Sequence, residues 1–370
     1  MTRPLRVLLE ASCLADGRRD AGIGRYARQL IGALECAPDL EIRASVPATA
    51  PWSEARPARF LRAQAPVIRE ARAAHPHVVH ALGGEPVLGL PAARQLVTVH
   101  DVEMWRGTSG GALGGAWRLY GTLLASTIRQ CAAVIAVSET TRREAIATLG
   151  LDPERVHVIP QGVSAAFSAR PKLRDVRVAT TSGLEGEYVL WVGSLRSHDP
   201  RKGLDTLLAA MERLQGGGPP LALVGALGPE ADRLASEAWR RRMNLVICGP
   251  VDDEDLASLY RRASVVVLPS THEGFGLTAL EAMASSAPVV ATAAGNLPDL
   301  TGGVALLVPA GDPAALAGAI DSVLTDPVRS ARMRRAGVQR AAGYTWQRTA
   351  ELTAGVYRAV AASARVAARR

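Results

Sequence analysis

The stretch from Ser264 to Ala284 reads SVVVLPSTHEGFGLTALEAMA. Its opening run, Ser264–Leu268, is short, β-branched and apolar, the composition of a strand covered on both faces of a parallel sheet. A turn containing Gly274 and Gly276 follows, and then a helical run through Leu277, Leu280 and Met283. A strand that passes into a helix through a glycine turn leaves unpaired backbone N–H groups at the helix start, where an anion can bind. Gly274 and Gly276 let a phosphate or sugar approach the backbone closely. Glu281 sits in the apolar body of the helix between Leu280, Ala282 and Met283. A carboxylate there needs hydrogen-bond donors, because burying it alone is costly. Ribose hydroxyls would supply two; the plainer alternative is a salt-bridged helix residue.

The same alternation of short apolar strands with helix-period segments runs through all 370 residues, which predicts an α/β fold with parallel sheets covered by helices. In the first half, strands are expected near Leu5–Leu9, Glu41–Val46, Val78–His80, Leu96–Val99, Ala133–Ala136 and Val156–Ile159. In the second they are expected near Tyr188–Val192, Leu221–Val224, Asn244–Ile247, Ser264–Leu268, Pro288–Ala291 and Val304–Val308. Ser164–Glu187 has no clear periodicity and carries Pro171, Gly183 and Gly186, so a linker is placed there. The division is then an N-terminal Rossmann-like domain, residues 1–170, and a C-terminal one, residues 171–349. A last helix, Trp346–Val366, is long enough for the C-terminal segment of about 350–370 to cross back and brace the first domain. Ligands of doubly wound sheets bind at the carboxyl ends of the strands where the topology switches, so two facing sheets would share one cleft.

Composition narrows the classes. The 43 Lys and Arg outnumber the 35 Asp and Glu, a net charge of +8 that favours anionic company such as nucleotides or lipid phosphates. Three Phe and six Tyr are few for stacking bases, so nucleic acid is not expected as a partner. Cys13, Cys36, Cys131 and Cys248 are far apart, which predicts reduced thiols and a cytoplasmic protein. No apolar run reaches the length that crosses a bilayer. The basic segment Arg56–Arg72 is suited to rest on anionic lipid at the inner face of a membrane, although Pro66 interrupts it and a solvated face is as good a reading.

Four further sites carry chemistry. Trp191–Gly203 is a strand, a turn at Gly193-Ser194 and a basic pair at a helix start, where Arg201 and Lys202 can hold a diphosphate in place of a metal ion. Ala21–Ala27 contains a literal G-x-G-x-x-A. It does not follow its strand directly, and the next strand ends without an acidic residue, which argues against an NAD-dependent oxidoreductase. The turn is better read as opening a helix at Tyr26–Leu34, with the Gly24 amide facing a ligand. His100 follows the strand Leu96–Val99 and stands at the carboxyl end of the sheet, where it can bind a sugar hydroxyl. Asp253-Glu254-Asp255 imitates a metal-binding D-x-D but opens a helix, where acidic residues suit the dipole. Asp252 or Asp253 can still accept the guanine N1 and N2 protons. His75, His77 and His80 alternate through a strand with no carboxylate or cysteine to complete a metal site.

Together these segments resemble the family 4 retaining glycosyltransferases of GT-B fold, over nearly the whole chain. The resemblance rests on Glu273 and Glu281 with the residues between them, Gly193 with Arg201-Lys202-Gly203, Gly22–Tyr26, His100-Asp101, Val137-Ser138-Glu139, Val158–Val163 and Thr345-Trp346. It implies that Glu273 faces the transferred sugar, that the amides of Phe275, Gly276 and Leu277 hold sugar and phosphate, and that Glu281 holds the ribose. Catalysis would then use His100, Glu273, Arg201 and Lys202. The donor would be bound by Gly24, Gly193, Ser194, Arg196, Val251, Asp253 and Gly274–Leu277 with Glu281, in a cleft between two facing Rossmann-like domains. The resemblance also implies retention of configuration with no metal or other cofactor. One departure stands out: many members carry arginine directly after the glycine corresponding to Gly193, and here it is Ser194, so Arg201 or Arg196 must compensate.

The expected activity is hexosyl transfer from a nucleotide-diphosphate sugar to a glycan, lipid-linked or small-molecule acceptor. The block Glu273–Leu277 with Leu280–Ala284 is similar to that of bacterial mannosyltransferases, which favours GDP-mannose; UDP- and dTDP-sugars are the alternatives. A catalytically inactive nucleotide- or glycan-binding protein of the same fold is the non-enzyme alternative, opposed by the intact Glu273, Glu281, Arg201 and Lys202. The acceptor is expected on the first domain, where Trp105, Trp117 and Tyr120 flank the glycine-rich stretch Gly107–Gly115.

Overall fold

The run Val265–Leu268 is buried at every residue, and so are Leu221–Val224 and Val289–Thr292. Strands of this kind arise only where helices cover both faces of the sheet. The computed structural model describes residues 4–16, 18–19, 21–47, 57–106, 115–214 and 218–367. Arg56, residues 107–114 and the side chains of Arg59, Arg62 and Trp117 therefore lie outside the described residues. The chain forms two units, Met1–Gly162 with Thr345–Arg370, and Val163–Tyr344.

The first unit runs β1 (Leu5–Glu10), α1 (Gly22–Leu34), β2 (Leu40–Ser45), α2 (Pro57–Ala74), β3 (Val78–Ala81), β4 (Gln95–Val99), α3 (Glu103–Arg106), α4 (Gly115–Gln130), β5 (Ala133–Ala136), α5 (Glu139–Leu149) and β6 (Val156–Val158). Its sheet is parallel, in the order β2-β1-β3-β4-β5-β6. The second runs α6 (Arg174–Thr181), β7 (Val189–Val192), α7 (Leu204–Met211), β8 (Leu221–Val224), α8 (Pro229–Arg240), β9 (Leu245–Gly249), α9 (Asp253–Arg262), β10 (Val265–Leu268), α10 (Leu277–Ala284), β11 (Val289–Thr292), α11 (Leu297–Thr301), β12 (Leu306–Val308), α12 (Pro313–Leu324) and α13 (Pro327–Ala341). Its sheet is parallel too, in the order β12-β11-β10-β7-β8-β9. Both sheets are doubly wound. The first switches direction between β1 and β3, the second between β7 and β10, and a switch opens a crevice at the carboxyl ends of the two strands.

Two expectations change. Ser164–Glu187 is not a bare linker: it belongs to the second unit and carries α6, which buries Val178 and Ala179. That apolar face is too short to show as a period. Ion pairs hold the segment to α9, with Lys172 on Glu254, Arg174 on Asp255, and Arg261 on Asp175 at 2.7 Å. Likewise α2 runs through Pro66, so the basic segment is not broken there. Among the described residues no helix is long and apolar enough to cross a membrane.

The final helix, α14 (Trp346–Ala367), completes the core of the first unit. Trp346, Ala350, Ala354 and Tyr357 pack with Tyr26, Leu30 and Leu34 of α1. A buried polar chain fixes the contact: Tyr26 Oη lies 2.9 Å from Thr98 Oγ1, which lies 2.8 Å from His80 Nε2, and His80 Nδ1 lies 2.7 Å from Tyr357 Oη. Burial pushes the His80 pKa down to about 3, so the ring is neutral and donates one of its two bonds while accepting the other. His77 Nδ1 accepts the Arg6 N–H at 3.0 Å. Both histidines thus serve the sheet. Tyr357→Phe strands a buried His80 nitrogen and should cost about 1–3 kcal/mol in a urea unfolding titration. An unchanged midpoint would show that apolar packing alone docks α14.

Candidate active site

Three loops meet at the carboxyl ends of β7, β10 and β11, and their backbones are tied together. The Arg201 carbonyl, after β7, accepts the Thr271 N–H at 2.8 Å. Gly203 has a φ of +63°, and a Cβ on it would stand 2.0 Å from the Pro269 carbonyl oxygen. On the other side Gly295, at φ +55°, lies so close that its Cβ would meet the Glu273 oxygen at 2.1 Å. Asn296 donates its backbone N–H to the Glu273 carbonyl and its Nδ2 to the Phe275 carbonyl, both at 2.9 Å. Ser270–Phe275 is therefore held from both flanks, mainly through its backbone.

The side chains form two ion pairs in this frame. Lys202 Nζ donates to Glu273 Oε1 at 2.8 Å, and Ser270 Oγ reaches the same oxygen at 3.1 Å. The Arg201 guanidinium takes Asp199 in a two-point contact at 3.0 and 2.8 Å. Burial works against the Asp199 charge, but Arg201, its backbone N–H and Lys202 together hold this carboxyl below the usual carboxylate range. The two cations expected to hold a diphosphate are thus each matched by a carboxylate. They keep side-chain exposures of 41% and 35%, enough to turn toward an incoming anion. Asp199 was legible as the Asp-Pro start of the short turn Pro200–Lys202, whose first N–H it caps.

Beside these pairs begins α10. Gly276 caps it in the left-handed conformation, and the N–H groups of Leu277 and Thr278 have no hydrogen-bond partner among the described residues. Phe275 is buried, edge-on to Tyr344 at 6.2 Å. Glu281 is 1% exposed, and the Tyr260 hydroxyl of α9 donates to its Oε2 at 3.4 Å. The donor required by its burial is thus partly a tyrosine, which the sequence disguised as a core residue in the apolar run Leu256–Tyr260. Gly193 spends its N–H on the Val224 carbonyl at 2.9 Å, while Ser194 and Arg196 are exposed on the loop beyond it. Val251 and Asp253 lie after β9, three strands from β10, about 14 Å across the sheet at the usual spacing. Asp252 caps α9 through the Asp255 N–H at 2.8 Å. Among the described residues no cluster of three or more His, Cys, Asp or Glu is suited to a metal ion.

In the first unit His100 donates from Nε2 to the Leu82 carbonyl at 2.8 Å and sets its ring edge-on to Tyr26 at 4.8 Å. A carbonyl only accepts, so the proton is on Nε2 and Nδ1 keeps its lone pair. Burial lowers the His100 pKa, which keeps the ring neutral. Nδ1 can then accept from a hydroxyl. Gly24 departs from expectation: it is buried, and its N–H donates to the Arg18 carbonyl at 3.2 Å. The N–H groups at the start of α1 without a partner among the described residues are those of Gly22 and Ile23, because the helix begins four residues earlier than expected. Tyr120 is buried with Leu124, the partly buried Met104 and Trp105 pack against them, and Trp105 Nε1 donates to the Gly121 carbonyl at 3.1 Å. These aromatics pack rather than present a surface.

Residues 22–167 match the family described as Glycosyltransferase Family 4, and residues 186–326 the family described as Glycosyl transferases group 1. The chain is 36% identical over 248 residues to a D-inositol 3-phosphate glycosyltransferase of Kineococcus radiotolerans, a match spanning 61% of this chain but only 56% of that relative. It is 30% identical over 337 residues to an alpha-maltose-1-phosphate synthase of Mycolicibacterium smegmatis, covering 82% of this chain and 84% of the relative. Among solved structures, Anabaena HepE in complex with UDP-glucose superposes with a TM-score of 0.76 at 19% identity, over 96% of this chain and 100% of that one.

Gly295→Ala tests the backbone frame. The left-handed backbone and the close Glu273 approach should together cost about 1–3 kcal/mol in a urea titration. Wild-type stability would mean that the loop after β11 rebuilds without disturbing Glu273.

Proposed function

Because the chain belongs to the family 4 glycosyltransferases, we propose that it transfers a hexose from a nucleoside-diphosphate sugar to a hydroxyl acceptor, with retention of anomeric configuration and without a metal ion. One observation carries this: the Lys202–Glu273 pair stands beside the open start of α10 where the second sheet switches direction. Breaking the bond between the anomeric carbon and the β-phosphate oxygen leaves negative charge on the diphosphate. That charge falls to Lys202, Arg201 and the α10 amides, which are fixed before the reaction begins. A diphosphate competes with Asp199 and Glu273 for the two cations, and Glu273, once released, accepts hydroxyls of the transferred sugar. The acceptor oxygen attacks the anomeric carbon from the face the leaving group departs, and its proton passes to the departing phosphate oxygen.

The remaining roles follow the layout of the second sheet. Glu281 takes the ribose, with Tyr260 as its protein donor. Val251 and Asp253 take the base, at a distance that suits the extended length of a nucleotide. Gly193, Ser194 and Arg196 border the phosphates, and Gly274–Leu277 the sugar. In the first unit, which is read as the acceptor's, His100 receives a hydroxyl at Nδ1 and Gly24 shapes the turn rather than presenting its amide. GDP-mannose is the first donor to test, on the wording of the Glu273–Ala284 block. A UDP-hexose is the second, favoured by the neighbour solved with UDP-glucose.

Calorimetric titration of GDP, UDP and dTDP in EDTA separates these donors. Binding that needs magnesium would defeat the cation-only phosphate site, and no binding under either condition would defeat the whole assignment. Lys202→Ala should weaken nucleoside-diphosphate binding by about tenfold or more, since it removes a charge-assisted hydrogen bond. Glu281→Ala should weaken binding, whereas Glu273→Ala should mainly lower kcat; the reverse pattern would exchange their roles. Contact with anionic lipid through α2 predicts salt-sensitive co-sedimentation with phosphatidylglycerol vesicles. A supernatant unaffected by vesicles at low salt would end that idea.

A further inference from the structure

Two carboxyl groups grip one guanidinium, with a third near enough to feel its charge, where the first sheet switches direction. Glu10 ends β1, Asp16 and Arg18 lie between β1 and α1, and Glu85 follows β3. Arg18 donates to both Asp16 oxygens at 2.8–3.2 Å, to both Glu85 oxygens at 2.9 Å and to the Gly83 carbonyl at 3.1 Å. The pair is largely withdrawn from water, with 16% of the Arg18 side chain and 3% of Glu85 exposed. The Arg18 carbonyl accepts the Ala21 and Gly24 N–H groups at the start of α1. Leu82, next to Gly83, holds His100 Nε2 through its carbonyl. Residues 82–85 are therefore gripped twice, by Arg18 and by His100, while Tyr26 of α1 rests edge-on against the imidazole.

We infer that Arg18 and Glu85 are positioning residues for His100: their ion pair fixes the 82–85 loop, and that loop orients the imidazole through the Leu82 carbonyl. The effect on turnover rests on the role given to His100 above; the effect on the ring itself does not. The groups facing Glu85 are Arg18 and Asp16, Glu10 on β1, Cys13 just beyond it and Tyr120 on α4. Burial raises Glu85 to about 7, even against the pull of Arg18. Burial raises Glu10 as well, and its Oε2 has no hydrogen-bond partner among the described residues. Cys13 is pushed up to about 12 and Tyr120 higher, so neither changes charge near neutrality. The neighbouring carboxylates keep Arg18 charged against the cost of its burial. Because the folded pKa of Glu85 is raised, the carboxylate that completes the pair forms as pH rises through about 7 and is lost below it. Burial lowers the pKa of His100, next to Asp101, so the ring favours its neutral form and reports the change at Glu85.

The test is the 15N signature of the His100 ring in histidine-labelled whole protein, assigned with His100→Asn and followed from about pH 5.5 to 8.5. Wild type should show a step in both ring nitrogens near neutral pH, within the neutral-tautomer range. Glu85→Gln should abolish the step, and Glu10→Gln should keep it. With the proposed activity in hand, Glu85→Gln should also lower kcat about tenfold with little change in donor KM. A flat wild-type profile overturns the inference whether or not the Gln variant folds. So does a step that survives Glu85→Gln, or one that vanishes in Glu10→Gln. If nucleotide binding fails while the ring step behaves as stated, the transferase assignment falls and the positioning role stands.

Discussion

The hydrogen bond from the Thr271 N–H to the Arg201 carbonyl is the contact on which the loop geometry of the second unit depends. It joins the loop that leaves β7 to the loop that leaves β10, two neighbours in the sheet whose connections depart in opposite directions. Parallel strands bring such loops together by topology alone, but topology leaves their relative height undetermined. Backbone contact sets it, because Gly203 can approach Pro269 only without a side chain. With the height set, Lys202 reaches Glu273 across 71 positions of sequence at hydrogen-bond distance. Side-chain geometry here is inherited from main-chain geometry.

The charges assembled there are balanced pairwise, Arg201 with Asp199 and Lys202 with Glu273. Balance has a physical use. Two unmatched cations in a partly covered loop would repel and swing outward, whereas carboxylates keep them in position and leave them partly exposed. Half-exposed pairs of this kind contribute little stability, commonly under about 1 kcal/mol, so a multiply charged ligand can break them cheaply. The electrostatics therefore favour a loop that is ordered in advance and still exchangeable.

Much of this was legible in the sequence, and the failures share a cause. Among the described residues the twelve expected strands stand within one or two residues of their expected ends; the inner ones are largely apolar because both faces are covered, whereas the edge strand β2 carries Glu41 and Arg43 and is only partly covered. The strand–turn–helix unit at Val265–Ala284 was readable for the same reason, and so was the neighbourhood of Arg201 and Lys202. What could not be read was direction. The Gly24 amide turns inward because the helix begins at Gly22 and the Arg18 carbonyl caps it from within, while the Arg18 side chain is held by its neighbour Asp16 and by Glu85 from elsewhere in the unit. Tyr260 looks like core and is core, yet its hydroxyl finds Glu281. In Ser164–Glu187 the proline and glycines were real turn signals, but the eight-residue helix among them owes its place to ion pairs with α9. Long-range polar partners leave no local period.

The docking of α14 bears on how the chain can fold as it is made. Its residues fill a core whose other members lie before Gly162, so the first unit is discontinuous in sequence and the second is inserted within it. During synthesis the groove over Tyr26, Leu30 and His80 must wait, uncovered, while some 180 residues of the inserted unit emerge and can close on themselves. The half made first is thus the last to be finished.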